Sequence, residues 1–479
     1  MPKEDYKVVI GLETHVQLIS DSKLFCSCKN PVTMDVEPEP NTLVCDICLG
    51  MPGSKPVFNE KILEFALKAS LALNCEIAKD MFFSRKTYFY PDMSKNYQIT
   101  QYEIPIAKNG WITIKGEDGK DKKIRIRRIH IEEDPAKIVH KKDYVLVDYN
   151  RAGVPLIEIV TEPDFSSPKE ARAYLQKLVQ ILEYLGVYDS TKKATIKSDA
   201  NISIVYNGQQ GERVEVKNIT GAKEIERALN YEIIRQLNIF RRGGKVVRET
   251  RGWDETAGVS RSMRSKEMEE EYGYIFDPDL TRITISEKEK EKIKEKMPEL
   301  PDEKKKRLIK EYGLKEKTAE AIVSDSGVAD LFEKACKRVS VKNASAWMMI
   351  LLKTLNYNNL TYKNSGLKDE WVIEVIESYE KGEYSDVVSE EILRKMVEEK
   401  ADMQKIVEKY GFKKVERGEK IIQVVKEVIA EFEKAVNDYK AGKEESLNFL
   451  VGQVMRKMKG AADPKEVREK IKEEISKTN

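Results

Sequence analysis

Two sets of residues in this chain have the types and spacing of metal ligands. Cys26 and Cys28 form a C-x-C pair, and Cys45 and Cys48 form a C-x-x-C pair. Four thiolates in two close pairs suit tetrahedral zinc and leave no open position for a substrate, so the expected role is structural. Residues 29–44 between the pairs are rich in proline and poor in apolar side chains. Such a loop buries little and gains most from a metal clip. The second set is carboxylate and imidazole. In residues 8–18, Val8, Ile10, Leu12, Thr14, Val16 and Leu18 fall on one parity, and Glu13, His15 and Gln17 on the other. A strand sends neighbouring side chains to opposite faces, so one face packs while the other presents an acid, an imidazole and an amide in a row.

The same alternation recurs downstream. Asp199, Asn201 and Ser203 oppose Ala200, Ile202 and Ile204, and Glu215 and Lys217 oppose Val214 and Val216. Residues 124–131 alternate into His130 and run on to Glu132, Glu133 and Asp134 before Pro135. If these strands adjoin, their acids converge with an imidazole. That oxygen-rich set favours magnesium over zinc. Magnesium commonly accompanies phosphates, which makes an ATP site the natural expectation. Residues 83–102 interleave tyrosines with Arg85, Lys86 and Lys95. This composition suits stacking on a base and neutralising phosphates. It equally suits a tyrosine-rich strand pair packed on the amphipathic helix expected over 59–75, and composition leaves both open.

Several chemistries are missing. There is no Walker-type phosphate loop, no Rossmann fingerprint and no nucleophile elbow. The chain has only three histidines, His15, His130 and His140, and no plausible Cys–His nucleophile pair. Cys75 and Cys336 sit in apolar helical contexts and are expected in cores. A hydrolytic nucleophile is therefore not expected.

The texture of the chain changes near residue 286. Short alternating segments and turns give way to helical periodicity with long Lys/Glu faces. The expected class is α+β: a mainly antiparallel sheet domain over 1–290, an all-α domain over 291–404 and a small all-α tail over 405–479. Asn59 and Ser167 are expected N-caps of helices starting near 60 and 168. Arg456, Lys457 and Lys459 cluster at a helix end, where solvation accounts for them as well as RNA binding does. Charged residues make up 35% of 479, yet the net charge is only +2, so no global field recruits nucleic acid. No apolar run is long enough to span a membrane, and the start lacks a secretory core. A cytoplasmic protein is expected.

Taken together, several segments resemble the GatB/GatE family, one component of the tRNA-dependent amidotransferases. They are Ile-Gly-Leu-Glu-Thr-His-Val-Gln-Leu at 10–18, Tyr-Phe-Tyr-Pro-Asp at 88–92, Tyr-Gln-Ile-Thr-Gln at 97–101 and His-Ile-Glu-Glu-Asp at 130–134. Asn-Arg-Ala-Gly-Val-Pro-Leu-Ile-Glu-Ile-Val-Thr-Glu-Pro-Asp at 150–164, Asp-Ala-Asn-Ile-Ser at 199–203 and Phe-Leu-Val-Gly-Gln-Val-Met at 449–455 complete the set. The chain has no room for the inserted domain of the GatE branch.

The resemblance implies a cradle-shaped catalytic domain, a helical domain and a YqeY-like tail that contacts tRNA. It implies that the chain binds Asp or Glu mischarged onto tRNA-Asn or tRNA-Gln and phosphorylates the side-chain carboxylate with ATP. Ammonia released by the amidase partner GatA then displaces the phosphate, and the small protein GatC ties the two together. The family's metal positions correspond to Glu13, His15, Glu133, Asp199 and Glu215, with Glu132 the neighbouring alternative. Arg85, Lys86, Tyr88, Lys95 and Arg151 are the candidates for ATP contacts. Tyr90, Asp92 and Gln98 are candidates for the cleft wall. Two other readings remain: a zinc-containing tRNA-binding adaptor without catalysis of its own, and a stand-alone carboxylate–amine ligase.

Overall fold

The computed structural model describes residues 6–263, 272–414, 419–458, 462 and 464–477; Lys459 lies outside them. The chain divides into two compact units, Met1–Leu300 and Pro301–Asn479.

The first unit is built on a ten-stranded sheet. From one edge its strands run Val259–Ser262, Glu249–Asp254, Val214–Thr220, Ile196–Tyr206, Tyr6–Gln17, Pro155–Thr161, Asp121–Glu133, Ala107–Lys115 and Glu76–Ile77. Gln209–Gln210 pairs back onto Ile196–Tyr206. All neighbours are antiparallel except Val214–Thr220 and Glu249–Asp254. A parallel pair needs a crossover, and the helix Ala222–Arg241 supplies it.

Alternation decides the faces. Ile10, Leu12, Thr14 and Val16 are buried in the core. That core also takes in the apolar sides of helices Glu60–Ala72, Pro168–Tyr184 and Ala222–Arg241. Glu13, His15 and Gln17 therefore lie on the opposite face. The expected caps are present: the Asn59 side chain accepts from Lys61 N–H, and Ser167 accepts from Glu170 N–H with Pro168 opening the helix. Pro155–Thr161 differs from its neighbours, because all seven of its residues are buried.

A separate three-stranded sheet joins Gly273–Phe276, Ser84–Thr87 and Tyr97–Thr100. Lys137–His140 and Val145–Asp148 form a hairpin. The first unit extends ten residues past the expected boundary of 290. Ile293, Met297 and Leu300 pack on its core, and the helix Glu287–Glu295 opens with a capping box between Ser286 and Glu289.

The second unit is helical among its described residues and has two separate cores. One draws on Leu308 through Ile406, the other on Ile421 through Ile475. Its helices include Glu316–Ile322, Ser326–Ala335, Val341–Tyr357 and Asp369–Glu380. The first helix begins at Pro301, with Asp302 in its first turn. Residues 419–440 form two helices, Glu419–Glu431 and Glu433–Lys440, instead of one continuous helix. Phe432 leaves helical geometry at the break, and its ring packs edge-on against Phe449 at 5.3 Å. No described helix is long and apolar enough to cross a membrane.

Candidate active site

Strand register sets up the site. Tyr6–Gln17 lies between Pro155–Thr161 and Ile196–Tyr206. His15 is therefore directly opposite Glu158 on one side and Lys197 on the other, and Glu13 is opposite Asp199. One strand further, Glu158 is opposite His130. Directly opposed residues of an antiparallel pair share a face. His130, Glu158, His15 and Lys197 thus form one lateral row, with Glu132 two residues along from His130. His15 Nε2 lies 3.4 Å from Glu132 Oε1 and 3.5 Å from Glu158 Oε2. His130 Nε2 lies 2.9 Å from Glu158 Oε2 and 3.5 Å from Glu132 Oε2. Gln17 braces the edge: it donates to Asp134 Oδ2 at 2.7 Å and accepts from Thr195 N–H at 2.8 Å.

The row opens into a cavity of about 340 Å³ whose walls include Glu13, Lys86, Tyr88, Gln98, Asp199 and Lys217. Its far wall depends on a β-bulge. Between the Ser198–Ile219 and Ala200–Val216 pairs, Lys217 and Asn218 together face Asp199. Asn218 takes a left-handed φ of 65° and gives its N–H to Asp199 Oδ1 at 3.1 Å. The Lys217 ammonium then sits between Asp199 Oδ2 at 3.0 Å and Glu215 Oε1 at 2.7 Å. Glu13 accepts from Asn201 Nδ2 at 3.0 Å.

The electrostatics follow from this packing. Burial opposes a charge on His15, but the hydrogen bond and charge of Glu158, with Glu132 and Asp199, raise its pKa to about 10. Burial opposes charge on His130 too, and Glu158 and Glu132 raise it to about 9. Glu158 is disfavoured by burial, yet the two imidazoles hold it well below the usual carboxylate range. Burial raises Glu13, helped by Glu158, Glu215 and Asp199. Burial works against the Lys217 charge, but Asp199 and Glu215 outweigh it and raise its pKa. One ligand atom each from His15, Glu132 and Glu158 lie within 4.8 Å of one another. Two carboxylates and an imidazole at that spacing fit a hard divalent cation.

The sequence pattern of the GatB/GatE catalytic domain matches residues 8–291, and that of a GatB domain matches 330–475. The chain belongs to the GatB/GatE family. Curated relatives, each named as the B component of an aspartyl/glutamyl-tRNA(Asn/Gln) amidotransferase, align along nearly the whole chain. The protein of Thermoanaerobacter pseudethanolicus is 43% identical over 98% of this chain and 100% of its own length. Those of Methanococcoides burtonii and Thermotoga maritima are each 45% identical, over 96% of this chain and 97% of theirs. The relatives are thus parts of a multi-subunit amidotransferase.

Within this GatB-family fold, the residues singled out from sequence divide. Glu13, His15 and Asp199 face the cavity, and Glu215 adjoins it through Lys217. Glu133 does not join them. It follows Glu132 in the strand, so it points the other way, where its carboxylate pairs with Lys95. Of the basic candidates, Lys86 reaches the cavity, as does Tyr88. Arg85, on the other face of the same strand, is bound to Asp277 at 2.9 Å and Asp279 at 2.8 Å. Arg151 donates to the carbonyls of Pro135 and Ala136 at 2.9 and 2.8 Å. Gln98 lines the cavity, Tyr90 is exposed, and the Asp92 carbonyl accepts from Ala136 N–H. Glu158 and Lys197 also belong to the site though the sequence did not single them out, and Lys217, expected only to share a face with Glu215, is one of its cations. The signal for Glu158 was available: it is the lone charge in an otherwise apolar strand, and a buried charge needs partners.

The cysteine loop is a second cluster in this family member. The sulfurs of Cys26, Cys28, Cys45 and Cys48 lie within 4.8 Å of one another. Cys45 and Cys48 sulfurs are 3.8 Å apart, which is the edge of a tetrahedron with bonds of about 2.3 Å, as in zinc–thiolate sites. Cys48 accepts from Cys45 N–H at 3.0 Å. The hydrogen bond from Cys26 is the main cause that holds the Cys48 thiol down at about 5, against burial; the Cys45 N–H and the charge of Lys23 add to it. Lys23 is fully buried and donates to the carbonyls of Leu43 at 2.8 Å and Tyr149 at 3.4 Å. The donor set and spacing fit zinc.

Proposed function

We propose that this chain is the GatB component of an Asp/Glu-tRNA amidotransferase, a carbon–nitrogen ligase with glutamine as nitrogen donor. In this reading it binds Asp-tRNA(Asn) or Glu-tRNA(Gln) and transfers the γ-phosphoryl group of ATP to the side-chain carboxylate. Ammonia from an amidase partner, GatA, then attacks the activated carbonyl carbon and phosphate leaves; a small third protein, GatC, completes the complex. The observation that carries the reading is the convergence of His15, Glu132 and Glu158 in one cavity, in a chain whose relatives bear that component's name.

His15, Glu132 and Glu158 would hold magnesium, which would supply charge neutralisation for the phosphates. Lys86, Lys197 and Lys217 line the cavity as its cations, suited to charge building on equatorial oxygens during phosphoryl transfer. Asp199 positions Lys217 and Glu13 positions Asn201 beside the cavity. The attacking carboxylate is already anionic, so no strong general base is required. The four cysteines would hold zinc as a structural clip away from the reaction.

The test is reconstitution with the amidase partner, followed by ATP- and glutamine-dependent conversion of both mischarged tRNAs. Conversion of at least one is expected, with loss in Glu158→Gln and tRNA binding kept. Failure on both tRNAs overturns the assignment. Unchanged turnover in Glu158→Gln favours an adaptor whose acids are structural. Activity on a small free acid without tRNA would indicate a stand-alone ligase.

A further inference from the structure

We propose that Lys95 and Glu133 form a strut between the four-cysteine loop and the cavity, so that filling of the cysteine site sets how tightly the cavity holds its own divalent ion. The proposal rests on the reading of the cavity as a magnesium site and the cysteines as a zinc site.

The contacts run continuously from one cluster to the other. The Cys48 carbonyl accepts from Ser94 Oγ at 2.7 Å. Gly50 follows with a left-handed φ of 67°, and a Cβ there would lie 2.7 Å from Lys95 Cγ and 3.0 Å from Lys95 Cα. The backbone of the cysteine loop thus rests directly on Lys95. The Lys95 ammonium pairs with the Glu133 carboxylate, with only 10% and 5% of the two side chains exposed. Glu133 Oε1 also accepts from Ile99 N–H at 2.9 Å, and its backbone carbonyl accepts from Gln98 Nε2 at 2.7 Å. Gln98 is part of the cavity wall, and Thr100 Oγ1 lies 3.3 Å from Glu132 Oε2. A second contact is independent of Lys95. At Gly153, a Cβ would meet Cys48 Cβ and Glu133 Oε2, each at 3.9 Å. Acid and cysteine approach within the width of one side chain.

Neither Lys95 nor Glu133 is among the cavity-lining residues. They are positioning residues. A buried ion pair tolerates little displacement, because either charge left alone is poorly solvated. When the four thiols converge on a metal, the turn at 45–50 is fixed and backs Lys95. Lys95 then fixes Glu133, and with it the strand end that carries Glu132. When the thiols are free to part, that backing is lost.

The test uses the full chain and Mn²⁺ as probe, read by the EPR signal of the free ion, with zinc content measured alongside. Wild type is expected to bind Mn²⁺, and His15→Ala to lose it. Lys95→Met should weaken Mn²⁺ by about tenfold while keeping its zinc, at the lower end of what losing support behind a metal's ligands costs. Cys45→Ser, emptied of zinc, should weaken it to a similar extent. The double variant should be no worse than either single one. Should Lys95→Met not fold, Ser94→Ala removes only the hydrogen bond to Cys48, and a smaller drop in the same direction is expected. Mn²⁺ affinity unchanged in these variants, or losses that add in the double variant, sinks the strut alone. No Mn²⁺ binding in wild type, or binding that survives His15→Ala, sinks the cavity reading and the strut with it.

Discussion

Glu158→Gln is the most informative single change. Gln keeps the shape and removes the charge that lies 2.9 Å from His130 Nε2 and 3.5 Å from His15 Nε2. Removing one partner of a buried ion pair costs about 3–5 kcal/mol when the other charge cannot escape. Here it can, because the imidazoles can release their protons. His130, with a pKa near 9 in the parent protein, sits two units above neutral pH. Glu158 and Glu132 raise it together, so about 3 kcal/mol at pH 7 is the upper limit of what His130 loses with Glu158. His15 keeps Glu132 at 3.4 Å and retains part of its proton affinity.

The sign of the pH dependence follows from three shifts. The raised imidazole values give stability that is complete below about 6.5 and is lost as pH rises through about 9 to 10. The lowered Glu158 value gives stability that is present above the ordinary carboxylate range and is lost as pH falls through its folded value. In protein stripped of divalent metal, parent and variant should therefore differ most between roughly pH 5 and pH 9, and converge beyond. With only three histidines in the chain, selective histidine labelling resolves each ring by NMR. His15 and His130 should titrate well above 6.5 in the parent and fall toward it in the variant. Calorimetry across the same range measures the stability difference. Two rings titrating near 6.5 in the metal-free parent, or equal stability of parent and variant at neutral pH, would refute the reasoning.

Three other outcomes are expected. Metal analysis should find one zinc per chain; Cys45→Ser should lose it and melt at lower temperature, and retention of both would count against a zinc clip. Asn218→Ala should cost about 1 kcal/mol by thermal unfolding, because Asn tolerates left-handed backbone better than Ala does, whereas Asn218→Gly, which has no Cβ, should be close to neutral. Lys86→Met should raise the KM for ATP with little loss of stability, since Lys86 faces the cavity. Arg85→Met should do the reverse, because Arg85 is committed to Asp277 and Asp279; a matching rise in KM would show that the two faces of this strand are not separated as described.

Local features were legible in the residues themselves. The caps at Asn59 and Ser167, the helix periods after 301 and the two-faced strand at 6–17 depend on neighbours a few positions away. The break at Phe432 was not legible, since it accompanies ring packing against Phe449, from a different helix. Parity also separates Glu132 from Glu133, but choosing between them requires knowing that His130 and Glu158 lie on the Glu132 side.

Sequence alone determined which residue types were available: two strands pairing an imidazole with carboxylates, further strands with single acids, four paired cysteines and a set of motifs resembling one family. These are properties of spacing, and spacing is local. Tertiary structure decided which of them meet. Cross-strand register put Glu158 between two histidines, a bulge aimed Lys217 at Asp199, and ion pairs drew Arg85 and Lys95 away from the cavity. Register and bulges arise from pairing between segments far apart in the chain, where a shift of one residue turns every side chain to the opposite face.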